Sequence, residues 1–255
     1  MRANTVKAKL RAGETVFGVF VGFPSPQVVE MVGLAGFDFA MIDAEHGPLS
    51  EGDVYTMCLA ADAVGVVPIV RVPRNEPATI LRFLDVGPLG LHVPQINTPE
   101  EAESVVQAVK YQPRGMRGVA GMRASDYGSR PLGEYTAQAN EETLIVAHLE
   151  NVAGIERLPE IMAVDGIDVI FVGTGDLSHS LGVPGQVTHP SVVAAVDRVL
   201  ELTNALDNPK PLGIITTDAA QTRGYLAQGF RYFGTGAPGF LFRGMKQWLG
   251  DVRAG

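Results

Sequence analysis

The chain has 255 residues, 46% hydrophobic and 19% charged, with a net charge of −8. That apolar share supports a large core and argues against wholesale disorder, and the length suits one α/β barrel or two small domains. The acidic balance, without a basic patch interleaved with aromatics, excludes nucleic acid as an expected partner, and no apolar run is long enough to cross a bilayer. The opening residues, MRANTVKAKLRAGETV, lack the apolar stretch of a secretory signal. A single cysteine, Cys58, rules out an internal disulfide and a thiolate zinc site. It fits a buried thiol in a reducing, cytoplasmic setting.

In chain order, apolar runs of strand length fall at 15–22 (TVFGVFVG), 37–44 (FDFAMIDA), 66–73 (VVPIVRVP) and 89–96 (LGLHVPQI). Four more follow at 143–150 (TLIVAHLE), 167–174 (IDVIFVGT), 211–217 (PLGIITT) and 230–236 (FRYFGTG). Amphipathic segments separate them. Ser50, Asn75, Thr98 with Glu101, and Thr217-Asp218 mark helix starts, and Gly36, Gly65, Gly87 and Gly229 mark helix ends. Strands buried on both faces and spaced by helices form parallel βαβ units. Eight such units in one chain predict an α/β fold, a (β/α)8 TIM barrel occupying residues 1–255 as one domain. A doubly wound open sheet is the rival. The polar, Gly-rich stretch 112–142 reads as a long excursion between the fourth and fifth strands.

Barrel chemistry gathers at the C-terminal ends of strands. Those ends carry Asp43, Glu45 and His46, then Arg71, Gln95, His148 with Glu150, and Asp176 in the turn VGTGDLSHSLG. Each has a plain reading: Arg71 as a structural ion pair, Glu150 as a first-turn acid, Asp176 as a helix cap, His46 and Glu45 as turn residues. Their joint occurrence at one rim favours a site. Glu150 and Asp176 follow successive strands and could converge on a hard, oxygen-ligated ion, Mg²⁺ or Mn²⁺, with Co²⁺ a third candidate. Backbone amides of Gly173, Thr174, Gly175 and Asp176 suit a carboxylate. None of the five lysines ends a strand at this rim, so Schiff-base chemistry is not expected.

The blocks LAGFDFAMIDAEHGP, VPIVRVPRNEPATILRFLDVG, VPQINTPEEAESVVQAVKYQPRGMRG, LIVAHLENVAGIERLPEI and GIDVIFVGTGDLSHSLG resemble the HpcH/HpaI family of class II pyruvate aldolases. The resemblance implies a barrel, usually hexameric, whose C-terminal helix (here GFLFRGMKQWLGDV) is exchanged between subunits. It implies a divalent-metal aldolase that cleaves and forms 4-hydroxy-2-oxo acids from a 2-oxo acid, pyruvate or a close relative, and an aldehyde. By position, Glu150 and Asp176 match the metal ligands and Arg71 the arginine at the keto oxygen. His46 matches the acid/base histidine and Asp43 the aspartate beside it. Asp85 matches an acid at the subunit interface, and Phe20 and Ile215 match, more weakly, the walls of the aldehyde pocket.

Two departures stand out. His148 replaces the usual glutamine two residues before the metal glutamate, which leaves it as a third ligand, a water-orienting group, or a donor of the same hydrogen bond. GPLG at 87–90 replaces the usual GAQG. His92, His179 and His189 read as structural or surface residues. The alternatives are a lyase or decarboxylase of the same fold acting on a CoA-activated acid or oxaloacetate, and a non-catalytic small-acid-binding barrel.

Overall fold

Each of the eight apolar runs is a strand in the computed structural model, which describes residues 2–254. The strands are β1 (Val16–Val21), β2 (Phe39–Asp43), β3 (Val67–Arg71), β4 (Gly90–Val93), β5 (Leu144–Leu149), β6 (Val169–Val172), β7 (Leu212–Ile215) and β8 (Tyr232–Gly236). They pair in sequence order, all parallel, and β8 closes on β1. The barrel is therefore closed, and the open-sheet rival is excluded.

Side chains on a strand alternate between faces. On β5, Leu144 and Val146 join the cluster inside the barrel, while Ile145, Ala147 and Leu149 join the cluster between sheet and helices. The same alternation sends Phe20, Phe39, Met41, Ile69, Phe171 and Tyr232 inward. Glycines make room for these rings. A Cβ on Gly18 would lie 2.1 Å from the Phe39 ring, and one on Gly234 would lie 2.1 Å from the Phe20 ring.

Expected helix ends recur in the structure. Ser50 and Thr98 each form a reciprocal capping box, with Asp53 and Glu101, and Asp218 caps the helix Ala219–Ala227. Gly36, Gly65, Gly87 and Gly229 all have positive φ. Asn75 is not a cap: Glu76 holds that position without a side-chain bond. The stretch 112–142 is more ordered than expected, with a 3₁₀ turn at Arg123–Gly128 and a helix at Leu132–Glu142. Pro131 precedes that helix and no side chain caps it, so the usual start signal is missing.

A short N-terminal helix, Thr5–Arg11, also escaped the sequence pattern. It buries Val6 and Leu10 against the interior cluster, and Lys7 Nζ bonds Thr143 O at 3.0 Å and pairs with Asp168 at 2.9 Å. Cys58 is buried, as expected, and burial pushes its thiol up to about 12. Among the described residues no helix is long and apolar enough to cross a membrane.

Candidate active site

The inward positions at the C-terminal ends of β2 and β3 place Asp43 beside Arg71 in the ladder. Arg71 donates from Nε to Asp43 Oδ1 at 2.9 Å and from Nη2 to Oδ2 at 2.5 Å. This two-pronged pair fixes the guanidinium plane. The Phe20 ring packs 5.6 Å from the guanidinium carbon. Burial works against the Asp43 charge, but Arg71 outweighs it and holds the carboxyl below its ordinary range. Asp43 also accepts the backbone amides of Glu45 (3.2 Å) and His46 (3.3 Å), tying the turn to the strand. The Asp43 carboxylate thus clamps Arg71 and positions the His46 backbone. Its bonds in this turn go to backbone amides and not to the imidazole.

His46 projects into solvent, 61% exposed, with Nε2 3.7 Å from Glu45 Oε2. Glu45 is the residue the sequence undervalued. Its side chain is only 14% exposed, and Oε2 is buried without a hydrogen-bond donor, although Arg71 Nε lies 3.2 Å away. Burial pushes its carboxyl up to about 7. Arg71 pulls it down, and Glu150, Asp43 and Asp176 push it up again. Glu45 therefore senses both candidate metal ligands at once.

Glu150 follows β5 and is buried. Its Oε1 accepts from His148 Nδ1 at 2.9 Å, and its Oε2 accepts the Gln95 amide at 2.9 Å. Gln95 holds a φ of 57°, an uncommon left-handed conformation for a side-chain-bearing residue. Burial opposes the Glu150 charge, but these two donors keep the carboxyl below its ordinary range. Gly173, which follows β6, supplies the room: a Cβ there would sit 2.7 Å from Glu150 Cγ and 3.0 Å from Oε1. The Gly173 amide donates to Leu149 O at 3.0 Å, so the two strand ends run side by side. The helix Thr174–Ser180 starts there with Thr174 buried, and exposes Gly175 and Asp176 in its first turn.

Both imidazole nitrogens of His148 are engaged, Nδ1 with Glu150 and Nε2 with His92 Nδ1 at 2.7 Å. That excludes a third-ligand role in this arrangement and matches the alternative of a replacement hydrogen-bond donor. His92, read from sequence as structural, is fully buried, and its Nε2 meets the Tyr232 hydroxyl at 2.7 Å. Ile215, at the end of β7, packs against the interior cluster. Asp85 lies apart: it ends the helix Pro77–Asp85, which returns from the rim, and it pairs with Arg117 at 2.8 Å. Within one chain it is not part of this site. His179 is exposed, and His189 caps the helix Pro190–Asn204.

The model of the HpcH/HpaI aldolase/citrate lyase family matches residues 16–244. The chain belongs to that family. It is 36% identical over 250 residues to a 5-keto-4-deoxy-D-glucarate aldolase of Shigella dysenteriae serotype 1, covering 98% of this chain and 96% of the relative. Among solved structures, an HpcH/HpaI aldolase/citrate lyase family protein from Burkholderia cenocepacia J2315 superposes with a TM-score of 0.92. It has 34% identity and coverage of 98% and 100% of the two chains. Citrate synthase SbnG follows with a TM-score of 0.87, 30% identity and 97% coverage of each. Membership makes this chain an aldolase-type lyase, in a family that is divalent-metal dependent.

The residues present fit a divalent ion. Asp43, Glu45 and Glu150 act on Arg71, and burial, with Glu150, Asp43 and Asp176 adding to it, pushes the Glu45 carboxyl up to about 7, where a nearby dication would favour the charged form. The donors are carboxylate oxygens, which suit a hard ion. Among the described residues no cluster of three or more His, Cys, Asp or Glu is arranged for a metal. An ion held by Glu150 and Asp176 would have two carboxylates from the protein and would take water and substrate oxygens for the rest.

Proposed function

We propose that the chain works as one barrel domain, residues 1–255, in which Glu150 and Asp176 hold Mg²⁺ or Mn²⁺ for the aldol cleavage of a hydroxylated 2-oxo diacid. The observation that carries this is the buried Glu150 carboxylate packed against the Gly173 turn, with Arg71 clamped by Asp43 at the same rim. The ion supplies Lewis-acid charge that polarises the donor's keto group. Arg71 uses Nε and Nη2 on Asp43, which leaves Nη1 to donate to the keto oxygen as that oxygen gains charge. The amides of Gly175 and Asp176 receive the donor carboxylate at the open helix start. His46 takes the proton of the C4 hydroxyl, the C3–C4 bond breaks, and an aldehyde leaves while the 2-oxo acid is protonated at C3. Phe20 and Ile215 wall the aldehyde side and keep water from it.

The substrate follows from chemistry and likeness together. The 36% identical relative is named for a keto-deoxy sugar diacid, and aldol cleavage of such an acid yields pyruvate and a hydroxylated aldehyde acid. A second reading, condensation or cleavage of a citrate-type acid with oxaloacetate as partner, is favoured by the likeness to citrate synthase SbnG. We also propose a homo-oligomer, a hexamer by family resemblance. In support, the helix Ala237–Ala254 exposes Phe240, Phe242, Met245, Trp248 and Val252. A cytoplasmic location suits the lone buried thiol of Cys58.

The test is pyruvate release from 5-keto-4-deoxy-D-glucarate with Mg²⁺ or Mn²⁺, before and after a chelator. Release that stops on chelation supports the reading. Undiminished release in chelator overturns the metal role, and turnover of citrate-type acids alone transfers support to the second reading.

A further inference from the structure

Beneath the rim, four buried side chains from three strands form an unbroken line. Tyr232 Oη lies 2.7 Å from His92 Nε2, His92 Nδ1 lies 2.7 Å from His148 Nε2, and His148 Nδ1 lies 2.9 Å from Glu150 Oε1. All four residues are at most 5% exposed. The line has one consistent polarity. An ionised carboxylate only accepts, so His148 must donate from Nδ1. A neutral imidazole then accepts at Nε2, so His92 must donate from its own Nδ1. The remaining His92 nitrogen accepts, and the Tyr232 hydroxyl fills it as donor.

Both rings are buried, His92 at 0% and His148 at 1% exposure, and each ring nitrogen has one partner in the line, as two neutral imidazoles require. Burial likewise holds Tyr232 as a neutral hydroxyl. Packing fixes the ring planes. His148 stacks on Phe171 at 4.8 Å, and His92 stands edge-on to His148 at 4.9 Å.

We propose that Tyr232, His92 and His148 form a one-way hydrogen-bond relay that presents a fixed N–H to Glu150 and so holds that carboxylate in its metal-binding orientation. Tyr232 and His92 are then positioning residues, acting on the ion only through His148 and Glu150. The inference rests on the reading of Glu150 as a metal ligand. Its physical logic is that groups bonded to a metal's ligands set ligand orientation and basicity. If the Tyr232 hydroxyl is lost, His92 Nε2 is left without a donor in a buried site, the ring loses the bond that fixes its plane, and its Nδ1–H is no longer held on His148 Nε2, which frees His148 to turn away from Glu150.

The experiment is a double-mutant cycle on Mn²⁺ affinity, read by electron paramagnetic resonance on the full chain after chelation and dialysis. Tyr232→Phe removes one oxygen and should weaken Mn²⁺ binding about 5- to 10-fold, near the low end for loss of an outer-shell partner. His148→Gln should retain affinity to within about 3-fold, because the glutamine amide donates to Glu150 without a tautomer to set. In that background Tyr232→Phe should change nothing, which is the readout a packing role would not produce. Equal affinity of Tyr232→Phe and the unsubstituted protein overturns the relay, as does equal weakening in both backgrounds. Glu150→Ala separates the two levels: loss of Mn²⁺ there with an unaffected Tyr232→Phe sinks the relay alone, whereas retained Mn²⁺ sinks the ligand reading and the relay with it.

Discussion

Glu45→Gln isolates the electrostatic cost of burying the Glu45 carboxylate among other acids. Folding raises the Glu45 carboxyl from 4.5 to about 7. It is an acid whose folded value lies above its unfolded one, so the folded state binds more protons between those values. Metal-free stability should fall as pH rises from about 4.5, and the penalty should be complete above about 7. At about 1.4 kcal/mol per unit, the cost is on the order of 3 kcal/mol. With 14% side-chain exposure, little of it is screened by water. Glutamine keeps the shape and removes the charge. Chelated Glu45→Gln should match the unsubstituted protein near pH 4 and exceed its unfolding free energy by roughly 2–3 kcal/mol at pH 8. Urea denaturation at both pH values, with chelator present, measures this. Saturating Mg²⁺ should shrink the difference, because a bound dication stabilises the ionised glutamate. An unchanged gap between the two proteins across that pH range would refute the reasoning.

Gly173→Ala keeps an ordinary backbone angle but places a methyl 2.7 Å from Glu150 Cγ. It should weaken Mn²⁺ binding by about 10-fold or more in a direct titration, with little change in melting temperature. His46→Ala should slow pyruvate release by about 10² to 10⁴, the usual range for general acid–base help, and leave Mn²⁺ affinity unchanged because the ring stands in solvent. Asp43→Asn breaks the charge-assisted clamp on Arg71, and kcat for cleavage should fall by at least about 10-fold through loss of a fixed donor. In acid the same clamp fails: Asp43 and Glu150 are held below their ordinary range, so the stability they contribute is present above about pH 4 and lost as pH falls through their lowered values. An acid titration of the unfolding free energy checks this.

The barrel was legible because parallel strands buried on both faces write themselves as apolar runs. TLIVAHLE and IDVIFVGT became β5 and β6 within a residue or two, and glycines closed the helices at positive φ. The helix Leu132–Glu142 was not legible, since Gly133, Glu134, Thr136 and Gln138 dilute its apolar face and nothing caps it. The N-terminal helix offers only Val6 and Leu10, too few for a period to show.

At the rim, strand-end positions singled out Asp43, His46, Arg71, Glu150 and Asp176 as candidates, but strand parity alone does not say which groups pair. Asp43 turned to Arg71 because the two occupy matched ladder positions. Glu45 looked like a turn residue, and its burial depends on how the turn folds back over Arg71. His92 carried a usable signal: a polar residue at an inward position of an apolar strand must find a buried partner. Which partner it finds depends on barrel closure, which brings Tyr232 of β8 across the interior to β4.

Deuterium exchange at the methyl group of pyruvate, followed by proton NMR in D₂O, tests the metal-assisted chemistry without an aldehyde. The unsubstituted protein should exchange those protons with Mg²⁺ or Mn²⁺ and stop when chelated, and Glu150→Ala should not exchange them at all. Exchange that continues in chelator, or in Glu150→Ala, would contradict the account.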